Sequence, residues 1–80
     1  MHELKMIKSL LNDIIKTGNE HNAKKITKIY LRMGDFSEIN PEILSFYLQE
    51  HSKGTILEGC EIDIEKSPNR ELRLLSFDYE

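Results

Sequence analysis

The first three residues, Met1-His2-Glu3, are where the chain carries its clearest potential for chemistry. A free amino terminus followed directly by histidine presents three nitrogens in order: the Met1 α-amine, the His2 backbone amide and the His2 imidazole Nδ1. Together they close a five-membered and then a six-membered chelate ring around one metal ion. The His2 amide must lose its proton to become a ligand, and the resulting square-planar nitrogen set suits Ni(II) or Cu(II) rather than Zn(II). The fourth position stays open to the Glu3 amide or carboxylate, another histidine, water or a group on a partner. Met1 should survive processing, because histidine is too large a second residue for excision of the initiator methionine. The amine must also be unmodified. Taken alone, His2 reads as an exposed residue ahead of a helix, so the rest of the chain decides its weight.

The elements that must hold this segment follow from the apolar pattern. Leu4, Ile7, Leu11 and Ile14 step by three and four, with Leu10 and Ile15 widening the stripe, which predicts an amphipathic helix from Glu3 to about Thr17. Gly18 is placed to end it, and the polar stretch Asn19 to Lys25 reads as a connection. In Ile26–Met33, Ile29, Leu31 and Met33 alternate with Lys28, Tyr30 and Arg32, the mark of a strand with one buried face. Gly34-Asp35 reads as its terminator, and Phe36 to Ile39 as a loop with two apolar anchors.

Asn40-Pro41-Glu42 is a helix start, with Asn40 as cap and Pro41 where its missing N–H costs nothing. This second helix should run to about His51 and bury Ile43, Phe46 and Tyr47, with Leu44 and Leu48 flanking. Cys60 to Glu65 alternates as a second strand, Ser67-Pro68-Asn69 signals a turn, and Glu71 to Tyr79 forms a third strand. Its apolar phase changes between Leu74 and Leu75, which predicts a bulge. The fold expected is α+β, in the order helix-strand-helix-strand-strand. A three-stranded mixed sheet is covered on one face by two helices, its first two strands parallel through a crossover and its last two an antiparallel pair.

The 80 residues, 39% hydrophobic and 31% charged, bound the answer to one globular domain with a modest core. A net charge of -3 argues against nucleic acid as the main partner. No apolar run approaches a membrane span and no signal-peptide pattern opens the chain, so a cytoplasmic protein without a membrane partner is expected. The single cysteine, Cys60, excludes an internal disulfide and any CxxC zinc site.

Other candidate ligands carry less. His21 and His51 fall near helix ends, where exposed capping roles are the ordinary reading. Cys60 sits on an apolar strand face and reads as core. Glu58, Glu61, Asp63 and Glu65 are spaced as a solvated strand face. No nucleophile–base pair, phosphate loop or paired-carboxylate signature is present, so no enzymatic activity is expected.

The chain resembles the HypA/HybF family of hydrogenase nickel-insertion proteins. The resemblance rests on MHEL and SLL in the first helix, AKKITKIYLRMGDFSEINPEIL from Ala23 to Leu44, KGTILEGCEIDIE from Lys53 to Glu65, and RELRLLS from Arg70 to Ser76. It implies a nickel site at the amino-terminal MHE segment, with His2 as principal side-chain ligand, Met1 supplying its amine and Glu3 matching the third position. It further implies Ni(II) as the metal, a HypB-type GTPase and a hydrogenase large-subunit precursor as partners. One departure is large. Family members carry a zinc-binding domain with two CxxC pairs between the strands that here correspond to Cys60–Glu65 and Glu71–Tyr79. This chain passes between them through a short turn at residues 66–70, so residues 1–80 are expected to form one nickel-binding domain without zinc. An engineered deletion at a hairpin tip accounts for this better than a natural reduced relative.

Two functions follow. One is a metallochaperone domain that binds Ni(II) at its terminus and delivers it during [NiFe]-hydrogenase maturation. The other is a metal-independent interaction module whose helix pair docks the GTPase or self-associates. A domain of this size could also bury more surface by forming a homodimer or exchanging its last strand.

Overall fold

A computed structural model describes the chain from His2 to Glu80, and its side chains from Leu4 onward. The elements are α1 (His2–Glu20), β1 (Ile26–Met33), α2 (Pro41–His51), β2 (Glu61–Lys66) and β3 (Leu72–Tyr79). The order is the expected one, and the three strands form one mixed sheet.

β1 is the centre of that sheet. Its residues Ile26, Ile29, Leu31 and Met33 are buried, and they meet Ile7, Leu11 and Ile14 of α1 and Leu44 and Leu48 of α2 in one core. The opposite sheet face is open and polar. There Arg32 donates to Glu65 (2.6 Å), Lys28 lies 3.8 Å from Glu61, and the Tyr30 hydroxyl donates to Asp78 (3.1 Å). Among the described residues no helix is long and apolar enough to cross a membrane.

The strand order is β2-β1-β3, with β2 parallel and β3 antiparallel to β1. This corrects the expectation of an antiparallel β2–β3 pair: the two do not touch through a ladder, because β1 lies between them. The segment that joins them is therefore a crossing over the end of β1 and not a hairpin tip. Gly34 is what permits the crossing. A Cβ there would sit 1.7 Å from the Asn69 carbonyl oxygen, so only glycine fits. The Gly34 N–H donates to the Glu71 carbonyl (2.8 Å) and the Ser67 N–H to the Met33 carbonyl (2.9 Å), tying the crossing down on both sides. The bulge in β3 is present: Leu31 faces Leu74 while Tyr30 faces Ser76, leaving Leu75 as the extra residue.

Two helix details differ from the sequence reading. α1 continues through Gly18 to Glu20 and ends on Asn22, which adopts a left-handed φ of 57°. The Ala23 N–H bonds the Gly18 carbonyl (2.9 Å) and the Asn22 N–H the Asn19 carbonyl (3.0 Å), the paired closure of a Schellman cap. Gly18 serves packing instead, since an added Cβ would meet the Ile56 and Ile26 side chains at 2.7 and 2.9 Å. In α2 the Asn40 cap is as expected, its Oδ1 accepting from the Ile43 N–H at 2.8 Å. The buried face, however, is Leu44 and Leu48, while Ile43 and Phe46 are 42% and 67% exposed and Tyr47 is half-buried. Cys60 is buried as expected but precedes β2 rather than opening it.

Candidate metal centre

The expected site lies at the head of α1. Met1 and the side chains of His2 and Glu3 fall outside the described residues, so the site is approached through the helix that carries it. Ile7, Leu10, Leu11 and Ile14 are buried, which anchors α1 from its second turn onward. At its far end, His21 meets Phe77 and Tyr79 edge-on, with ring centroids 5.5 and 5.8 Å apart. Nearer its start, Lys5, Met6, Ser9 and Leu10 line a groove with Leu72, Arg73 and Leu74. α1 therefore runs alongside β3 in the same direction, and its head emerges at the end of the molecule where the 67–71 crossing passes over β1.

That end is stiffened by polar bonds. The Ser67 hydroxyl donates to Glu71 Oε2 (2.7 Å) and accepts from the Asn69 N–H (3.1 Å). Arg73 lies 2.9 Å from Glu71, and the Arg70 guanidinium stands over the Phe36 ring at 5.3 Å. The Ser67 hydrogen bond, helped by the charges of Arg73 and Arg32 and by Asn69, holds the Glu71 carboxyl below its usual range, against a smaller desolvation that opposes it. This carboxylate is satisfied by its own neighbours.

The alternative ligands are dispersed. His21 lies just past the far end of α1 from its start at His2, with its Nδ1 2.8 Å from the Thr17 carbonyl. His51 stacks on Tyr47 at 4.1 Å. Burial raises the Cys60 thiol pKa, which keeps it protonated and inert. Glu61, Asp63 and Glu65 are exposed on the open sheet face, where Glu61 and Glu65 face Lys28 and Arg32 in register. Among the described residues no group of three or more histidine, cysteine or carboxylate side chains converges on a point that could hold a metal ion. Sequence reasoning passed over two features: the exposed Ile43 and Phe46 of α2, and the groove between α1 and β3. The groove's apolar lining, Met6 and Leu10 with Leu72 and Leu74, comes from two elements far apart in the chain, so no local pattern announced it.

Comparison with known proteins bears on this arrangement. The family model described as hydrogenase/urease nickel incorporation, metallochaperone, HypA matches residues 1–72. The hydrogenase maturation factor HypA of Methanobrevibacter smithii is 38% identical over 68 residues, covering 85% of this chain and 54% of that protein. Its counterpart from Archaeoglobus fulgidus is 36% identical over 64 residues, covering 80% of this chain and 58% of that protein. The chain thus spans about half the length of the curated relatives it matches. The solution structure of the Ni metallochaperone HypA from Helicobacter pylori superposes with a TM-score of 0.77 at 14% identity, over 94% of each chain. A second solution structure of a HypA protein gives 0.76 at 17% identity, covering 100% of this chain and 97% of that one, and at such identity both speak to the fold alone. With residues 1–72 accounted for by the family model, the chain belongs to the HypA family.

Proposed function

We propose that this chain binds one Ni(II) ion through the Met1 amine and the His2 amide and imidazole, with Glu3 beside them, and delivers it to a hydrogenase large-subunit precursor. It acts as a carrier rather than a catalyst, in the cytoplasm, in cooperation with a HypB-type GTPase. The short connection at 66–70 leaves it independent of zinc.

The observation that carries this reading is that α1 starts at His2. The first N–H groups of a helix have no intrahelical acceptor, so the His2 amide can give up its proton without breaking a bond. The positive end of the helix dipole favours the amide anion that results. Both chelate rings close on atoms before the His2 carbonyl, so a helical backbone beyond it is compatible with the chelate. A cargo site must also release its metal. A terminal chelate with one open position admits a ligand from the recipient, and binding weakens as pH falls because the amide and imidazole take up protons. His2→Ala is expected to abolish stoichiometric nickel binding while leaving the circular dichroism spectrum unchanged. Retained binding would end this reading.

A second reading is supported by α2, where Ile43 and Phe46 face solvent. Here the chain is an interaction module whose α2 face docks the GTPase without metal. Partner affinity that is the same with and without nickel, survives His2→Ala and collapses in Phe46→Ser would favour it.

A further inference from the structure

The chain has three methionines, and the fold treats the two whose side chains are described in opposite ways. Met33 ends β1 inside the core and is 3% exposed, so its thioether is shielded from solvent. Met6 is 38% exposed. It heads the row Met6, Leu10, Asp13 and Thr17 on α1, whose steps of four, three and four put all of them on the side of the helix that faces β3.

That row and Leu72, Arg73 and Leu74 of β3 are the two walls of the groove described above. Leu10, one turn further along α1, is only 8% exposed, so burial deepens along the row and Met6 stands where the seam opens to solvent. A thioether is apolar and flexible, which suits it to line such an opening. It is also a side chain that a peroxide turns polar. Met6 therefore combines an accessible sulfur with apolar surroundings, and Met33 has only the second.

We propose that Met6 is an oxidation site through which a peroxide loosens the head of α1 from β3. The Met6 sulfur attacks one oxygen of hydrogen peroxide. The O–O bond breaks as the S–O bond forms, the sulfur gives up two electrons, and the departing hydroxide takes the proton of the transferred oxygen and leaves as water. The sulfoxide is a polar acceptor set beside Leu10, Leu72 and Leu74, where an apolar group stood. It turns out to solvent, and the seam loses the apolar group at its mouth. The opening turns of α1 unfasten, while the buried Ile7, Leu11 and Ile14 keep the rest of the helix in place. Methionine sulfoxide is reduced enzymatically, so the change is reversible. Met6 lies one turn beyond His2 on the same helix, so oxidation acts on the support of the terminal segment and leaves its ligand atoms untouched.

The test uses the metal-free full chain, so its result does not depend on whether the terminus binds nickel. After timed exposure to hydrogen peroxide, cleavage after glutamate separates the three methionines into residues 1–3, 4–20 and 21–38, and their masses give each rate. Met6 should gain oxygen roughly tenfold faster than Met33 or more. The oxidised protein should melt about 4–8 °C lower by circular dichroism, and a methionine sulfoxide reductase should restore the parent value. Met6→Leu nearly conserves volume, so it should fold as the parent does and keep its Tm through the same treatment. Met6→Gln, with a polar group of similar length, should show the lowered Tm without peroxide. Met33 oxidised as fast as Met6, a Tm unmoved by Met6 oxidation, or an equal fall in Met6→Leu would overturn the inference.

Discussion

Replacing Gly34 with alanine tests whether the β2–β3 crossing is as tight as described. The added Cβ would lie 1.7 Å from the Asn69 carbonyl oxygen and 2.9 Å from the Arg70 Cα. Both are backbone atoms, so no rotamer change relieves the contact. The crossing must move by more than about 1 Å to reach ordinary packing distance. That displacement breaks the Gly34-to-Glu71 and Ser67-to-Met33 hydrogen bonds and loosens Ser67 from Glu71. At about 1 kcal/mol per bond the loss is about 3 kcal/mol, a large share of the stability of a domain this size. A thermal melt followed by circular dichroism should show Tm falling by about 12–24 °C. Gly18→Ala is the control. Its Cβ meets only the movable ends of Ile26 and Ile56, and alanine gains about 1 kcal/mol of helix propensity, so the net change should be small. A Gly34→Ala protein that melts within a few degrees of the parent, or a Gly18→Ala protein that loses as much, would refute the account of the crossing.

Three further outcomes are expected. Asn22→Ala should cost about 1 kcal/mol by removing the short polar side chain that lets asparagine tolerate the left-handed region, whereas Asn22→Gly, which has no Cβ there, should be neutral or stabilising, which urea titration would resolve. Leu44→Ala should destabilise by about 2–5 kcal/mol while Phe46→Ser changes stability by no more than about 0.5 kcal/mol, because only Leu44 is buried. Glu71 has its folded pKa depressed, so its contribution is fully present above the ordinary carboxylate range and is lost as pH falls through and below it. Glu71→Gln should therefore lower Tm at neutral pH, with the difference closing in acid.

The sequence announced its local structure where side-chain chemistry is decisive. Asn40-Pro41 marked the start of α2, the alternation through Ile29, Leu31 and Met33 marked β1, and the phase change at Leu74-Leu75 marked the bulge. The buried face of α2 was not legible. Ile43, Leu44, Phe46, Tyr47 and Leu48 place apolar groups most of the way round the helix, so only packing against α1 and β1 selects Leu44 and Leu48. Gly18 carried two meanings at once, terminator and close approach, and the fold uses the second. The strand order was open for a different reason. A short connection between strands is ordinarily a hairpin, and nothing local shows that β1 lies between them. One signal was available: the alternating acids of β2, Glu61, Asp63 and Glu65, mark an edge strand. The proposed metal site is read from residue types and their order alone, since a terminal chelate needs no tertiary partner.

The central claim rests on that terminal chelate, and one optical titration addresses it most directly. Untagged protein is titrated with Ni(II) at pH 7 to 8, beside the same protein extended by one residue before Met1. The account predicts a yellow d–d band that saturates at one equivalent and vanishes in the extended protein, because the extension removes the amine from its chelate ring. The same band in both proteins, or no band in either, would contradict it.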